Sequence, residues 1–184
     1  MINESIARRE FFTILGISAA TAQNLFAQHA VDFSAYQPRA FTPSEFDLLD
    51  ALAETLLPAD ETGPGAHDAH VAYYIDVVLT HAPPPRRLSW KSSLALVQSL
   101  VDQHFRQPFT ACSVAQRQQF LAELASRELT PQSDLDRFFV EFKRTVVDGF
   151  YASDLIRREH LGYKGNIAAA EFPGCPHPNF EHPS

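Results

Sequence analysis

TPSEFDLLDALAETLLP, residues 42–58, is the stretch on which the fold class turns. Thr42 supplies a side-chain oxygen for an N-cap, and Pro43 suits the first helical position, where a backbone N–H is not needed. Glu45 stands where a capping box closes. Phe46, Leu49, Leu52, Ala53 and Leu56 recur at three- and four-residue spacing, which puts one apolar stripe on a helix that Pro58 stops.

The same grammar repeats downstream. Residues 58–68 (PADETGPGAHD) are turn formers, after which Val71, Tyr74, Ile75, Val78 and Leu79 predict a second helix from about Ala69 to Thr80. Pro83, Pro84 and Pro85 fix three backbone torsions and remove three donors, a stiff break. Trp90, Leu94, Val97, Leu100, Val101 and Phe105 mark a third helix. Ser113 with Gln116 forms a second capping box, heading a helix that buries Phe120, Leu121 and Leu124. A last helix from about Ser133 to Tyr151 carries Leu135, Phe138, Phe139, Phe142, Val146 and Phe150. No segment alternates at period two between hairpin turns, so the expectation is all-α: a single bundle of about five helices over residues 42–152.

Composition narrows the function. A chain of 184 residues has room for one domain, and its 15 phenylalanines are read chiefly as core filling. The formal net charge is -7 and the basic residues are scattered, which argues against a nucleic-acid footprint. With 7 glycines and neither GxGxxG nor GxxxxGK[ST], the chain has no phosphate cradle of a known pattern, and GxSxG is absent too. The carboxylate pairs Asp47 with Asp50 and Asp134 with Asp136 have no companion motif to make them an acid and a base. His67 and His70, beside Asp68, fall short of a closed ligand set and read as a solvated helix start. His160, His177 and His182 support no catalytic role. No catalytic, cofactor-binding or metal-ligating residue is assigned to this chain.

The two ends differ from the body. Arg8 and Arg9, with Phe11, precede a run free of charge from Phe11 to Gln28. This layout resembles a twin-arginine export signal, from whose usual pattern Ala7, Phe12 and Thr13 depart; an ordinary amphipathic helix is the other reading. The run is too short and too rich in Ser, Thr and Ala for a comfortable membrane span. Residues 1–30 are thus expected to be an address, 31–41 a linker, and 153–184 an irregular tail. Leu161, Tyr163, Ile167 and Phe172 stand on that Gly/Pro-rich tail, where burial requires either a partner or the chain's own bundle. Cys112 and Cys175 are the only cysteines; without CxxCH they read as a disulfide pinning the tail or as two separate thiols.

In order, FTPSEFDLLDALAETLLPADETGPGAHDAHVAYYIDVVL, FFVEFKRTVVDGFYAS and LGYKGNIAAAEFPGCPH resemble the gluconate 2-dehydrogenase subunit 3 family across most of residues 41–177. The resemblance includes the Leu57-Pro58-Ala59-Asp60 turn, Gly65-Ala66, Tyr74-Ile75-Asp76, Gly149-Phe150-Tyr151 and Leu161-Gly162-Tyr163 with Gly165-Asn166. It implies a small accessory subunit of a periplasmic dehydrogenase. Its large partner would be an FAD-containing flavoprotein of the glucose-methanol-choline type, often joined by a cytochrome c subunit carrying haem c. The export signal on the small subunit would serve both, and the complex could be membrane-associated without a span in this chain. The competing reading of the residues is a self-contained exported helical protein, a binding or maturation factor without a redox partner.

Overall fold

The computed structural model describes residues 33–163. The chain divides into two units at Gln37/Pro38; of the first, only residues 33–37 are described, with the short 3-10 turn Phe33–Ala35. The second holds five α-helices: α1 (Pro43–Leu56), α2 (Val71–Thr80), α3 (Pro84–Phe105), α4 (Val114–Ala125) and α5 (Asp134–Ala152). A 3-10 turn, Phe109–Ala111, precedes α4, and a π-helical turn, Leu155–His160, follows α5. No β-strand occurs among the described residues, so the all-α bundle stands.

The helix starts obey the sequence. Thr42 and Glu45 exchange hydrogen bonds as a closed capping box, as do Ser113 and Gln116. Ser133 and Asp136 form a third box that opens α5. The proline run behaves differently from a simple break. Pro84 and Pro85 are the first two residues of α3, and Pro83 accepts from Arg86 and Arg87. Proline is harmless in a first helical turn, where its missing N–H has no intrahelical partner to lose.

Helix α1 packs against α2, α3 and α4, while α5 closes over the same three helices. Leu49, Leu52, Ile75, Leu79, Leu94, Val97 and Val101 are sealed between them. An aromatic cluster fills the α3–α5 side. Trp90 meets Phe138 edge-on at 5.2 Å between centroids, and Phe138 stacks on Phe142 at 5.9 Å. The Trp90 indole N–H donates to Glu141 Oε1 at 2.9 Å, so the ring is buried without losing its polar partner. Gly149 sits where α5 crosses α2: a Cβ there would lie 2.7 Å from the Tyr74 ring.

Two segments that read as irregular belong to the body. Asp76, fully buried on α2, accepts the backbone N–H groups of Arg39, Ala40 and Phe41 at 2.9, 3.0 and 3.2 Å. The end of the 31–41 lead-in is therefore anchored, with Ala40 and Phe41 buried. Beyond α5, where the periodic pattern dissolves, the chain makes the π-helical turn and buries Ile156. Six residues are too few for a periodicity argument to detect.

Replacing Asp76 by Ala strands the buried backbone donors of Ala40 and Phe41 and releases the part-buried one of Arg39, and an unsatisfied buried donor costs about 1–3 kcal/mol. Asp76→Ala is expected to lower the urea-unfolding free energy by about 3 kcal/mol or more. Equilibrium unfolding of both proteins checks this; a loss below about 1 kcal/mol would show that water takes over the donors.

Candidate partner-docking surface

The described surface carries a groove on the outer side of α5, built from the α4–α5 loop and one helix face. Val140 and Val147 are one heptad apart on α5 and form its floor, with Tyr151 exposed one turn further on. Leu129, 90% exposed on the loop, makes the opposite wall, and the cavity between them measures about 390 Å³. Lys143 bridges wall and floor, its Nζ lying 3.0 and 2.7 Å from the two carboxylate oxygens of Glu128. Arg144 and Asp148 line the rim 4.0 Å apart. The groove thus offers an apolar strip between charges that are already matched, the composition of a surface that excludes water when covered.

Asp136 holds the Leu129 loop in place. Its Oδ2 accepts the N–H groups of Gln132 at 3.1 Å and Ser133 at 2.9 Å. No hydrogen bond reaches the buried Oδ1, which instead has the Arg127 Nε at 3.0 Å as its ionic partner. The Ser133 N–H, then its hydroxyl, and further the Gln132 N–H and the Arg127 charge hold this carboxyl below its ordinary value.

The residues singled out in the sequence are dispersed. Leu161 and Tyr163 are 63% and 40% exposed, and the Arg157 guanidinium lies over the Tyr163 ring at 4.8 Å. Arg8, Arg9, Phe11, Ile167, Phe172 and Cys175 lie outside the described residues. Cys112 is buried after the Phe109–Ala111 turn; the partner proposed for it, Cys175, is among those not described. The aromatic face of α5 turns inward, with Phe138, Phe139 and Phe142 buried, and aliphatic Val140 and Val147 are what it presents outward. Sequence reading missed the groove because two valines and a loop leucine in separate segments carry no motif.

The histidine pair has a structural role. His67 Nδ1 lies 2.6 Å from Asp50 Oδ2, which raises the imidazole's affinity for its proton; burial lowers that of His70, and the His67 charge adds to the effect. Glu54 fastens the same loop, accepting the N–H groups of Ala59 at 3.0 Å and His67 at 2.8 Å. A Cβ at Gly65 would overlap the Glu54 carboxylate and the Ala59 nitrogen, so the Gly65-Ala66 step is needed for this close approach. Among the described residues no group of three or more His, Cys, Asp or Glu is placed to hold a metal ion.

Residues 43–169 match the family model described as Gluconate 2-dehydrogenase subunit 3. The chain belongs to that family. The match spans all five helices and the π-helical turn, and runs beyond the last described residue. No curated protein and no solved structure matches the chain. As a member, the chain is an accessory subunit of a dehydrogenase complex. No described helix is long and apolar enough to cross a membrane.

A carboxyl whose folded-state value is depressed stabilises the fold above the ordinary carboxylate range and loses that contribution as pH falls through the lowered value. Asp136→Asn is therefore expected to be less stable than the parent at neutral pH, by a gap that holds down to about pH 4 and closes below it. Urea titrations along a pH series measure the gap; one that persists unchanged into strong acid would mean that the charge of Asp136 is not what fixes the loop.

Proposed function

We propose that this protein is the non-catalytic small subunit, of gamma type, of a periplasmic FAD-dependent dehydrogenase acting on sugars, sugar acids or alcohols. It stabilises the flavoprotein subunit, of glucose-methanol-choline type, and carries that partner through the twin-arginine route. FAD, and haem c where a cytochrome c subunit is present, belong to the partners. The family match over residues 43–169 carries this reading, and the Arg8-Arg9 pair ahead of a charge-free run supports the export step. The α5 groove, together with Leu161 and Tyr163, supplies surface for the flavoprotein. Each apolar side chain covered there would contribute at about 25 cal/mol per Å² removed from water.

Two tests follow from separate parts of the reading. In cells producing both subunits, Arg8→Lys with Arg9→Lys keeps the charge but removes the guanidinium forks. The double variant is expected to leave the flavoprotein and its activity in the cytoplasmic fraction, and normal periplasmic activity would sink the escort role. The second test addresses the surface alone. Val147→Asp is expected to leave the helical circular-dichroism spectrum intact and to weaken co-purification with the flavoprotein at least tenfold, a loss of about 1.4 kcal/mol. Unchanged co-purification would move the interface off α5 while leaving the subunit assignment in place.

A further inference from the structure

The outer groove of α5 begins near the point at which the described chain leaves the bundle. After Ala152 the chain turns back onto α5 through Leu155–His160, buries Ile156, and is held again at Tyr163, whose N–H donates to the Arg157 carbonyl at 2.8 Å. Residues 164–184 follow. Counted back from Ala152 along the helix axis, Val147 lies about 7 Å away and Val140 about 18 Å. The helix itself is only about 10–12 Å across with its side chains. The segment from Lys164 to Phe172 can span up to about 30 Å, so it reaches the whole floor of the groove from whichever side it starts.

The order of side chains on the two segments is complementary. Read from the C-terminal end of α5 toward its middle, the groove presents Asp148, Val147, Arg144 and Val140: an acid, an apolar group, a base and an apolar group. In chain order the tail presents Lys164, Ile167, Glu171 and Phe172, with the opposite charge at each charged place and an apolar group at each apolar one. Lys143 is already held by both carboxylate oxygens of Glu128. Arg144 and Asp148 are not held in this way: 4.0 Å apart, with side chains 85% and 57% exposed, they form a loose solvent pair that is easily exchanged for other partners. A tethered segment also has an advantage over a second copy of the chain. A short flexible linker gives it an effective concentration on the order of millimolar, above that of a protein in ordinary dilute solution.

We infer that residues 164–172 occupy the α5 groove of the free chain, running antiparallel to the helix, with Ile167 against Val147, Phe172 against Val140 and Glu171 paired to Arg144. The tail thereby shields the docking strip until a partner displaces it. Only the identity of that competitor, the flavoprotein, rests on the function proposed above; the contact itself is a property of the subunit alone.

The test uses the purified full chain, methyl-labelled and diluted until light scattering shows a monomer. Nuclear Overhauser cross-peaks are expected between the Ile167 and Val147 methyls and between the Phe172 ring and the Val140 methyls. Cleavage after Glu171 by a glutamate-specific protease, followed by mass spectrometry, is expected to be at least tenfold slower in the parent than in Val147→Asp or Arg144→Glu. Arg144→Glu and Glu171→Arg are each expected to lose the cross-peaks, and the double variant to regain them, a rescue that neither misfolding nor a contact elsewhere would produce. Absence of the cross-peaks in the monomer, cross-peaks that arise only between copies at higher concentration, cleavage rates indifferent to both groove variants, or no rescue in the double variant would overturn the inference. No flavoprotein enters these measurements, so a failed co-purification test bears on the proposed function and leaves the tail contact standing.

Discussion

A single buried carboxylate ties the start of the body to its centre. Asp76 sits on the core-facing side of α2, between Ile75 and Leu79, and its two oxygens take up three consecutive backbone N–H groups from residues 39–41. A charge in that position is tolerable only because the donors converge on it, and those donors are tolerable in a buried segment only because the carboxylate is there. Each half of the arrangement makes the other affordable. Its consequence is geometric: the chain must enter α1 from the side of α2, and the Thr42 capping box then sets the direction in which α1 crosses the remaining helices.

Most of this bundle was legible because every helix carries an apolar stripe, and α1 and α4 announce themselves a second time by a cap. Thr42, Ser113 and the phenylalanines of α5 all do in three dimensions what their spacing says. Asp76 was the missed signal. It interrupts the apolar run YYIDVVL at a core-facing register, and a charge there calls for a compensating partner, but sequence alone does not say which backbone segment supplies it. Pro84 and Pro85 misled for the opposite reason: a proline run reads the same whether it ends one helix or begins the next, and only the carbonyl of Pro83, taken by Arg86 and Arg87, decides.

The candidate docking surface was less legible than the fold. Tail residues such as Leu161 and Tyr163 attract notice because apolar groups on a Gly/Pro-rich segment look misplaced. The groove residues Val140 and Val147 look like ordinary members of an amphipathic helix until the other faces of that helix have been accounted for. Leu129 contributes to the groove only because Asp136 and Glu128 hold its loop against α5. That is a long-range arrangement of short polar contacts, the kind of information that periodicity does not carry.

Helix α5 therefore has three distinct sectors. Leu135, Phe139, Phe142 and Val146 fill the core; Asp134, Arg137, Phe138 and Glu141 border the side of α3 that carries Ser89, Ser92 and Ser93; Val140, Lys143, Arg144 and Val147 form the outer groove. A helix required only to close the bundle would need the first sector and could be polar elsewhere. β-Branched valines lower helix propensity and, at exposed positions, gain little packing in return. Scattered exposed apolar residues are common on any protein. Two valines one heptad apart, facing a leucine on a loop braced by the carboxylates of Asp136 and Glu128, are a more ordered arrangement than that. The internal demands of the fold do not account for it, whereas the docking role proposed for this face would supply the missing constraint: on that proposal the outer sector of α5 stays apolar because a partner subunit covers it.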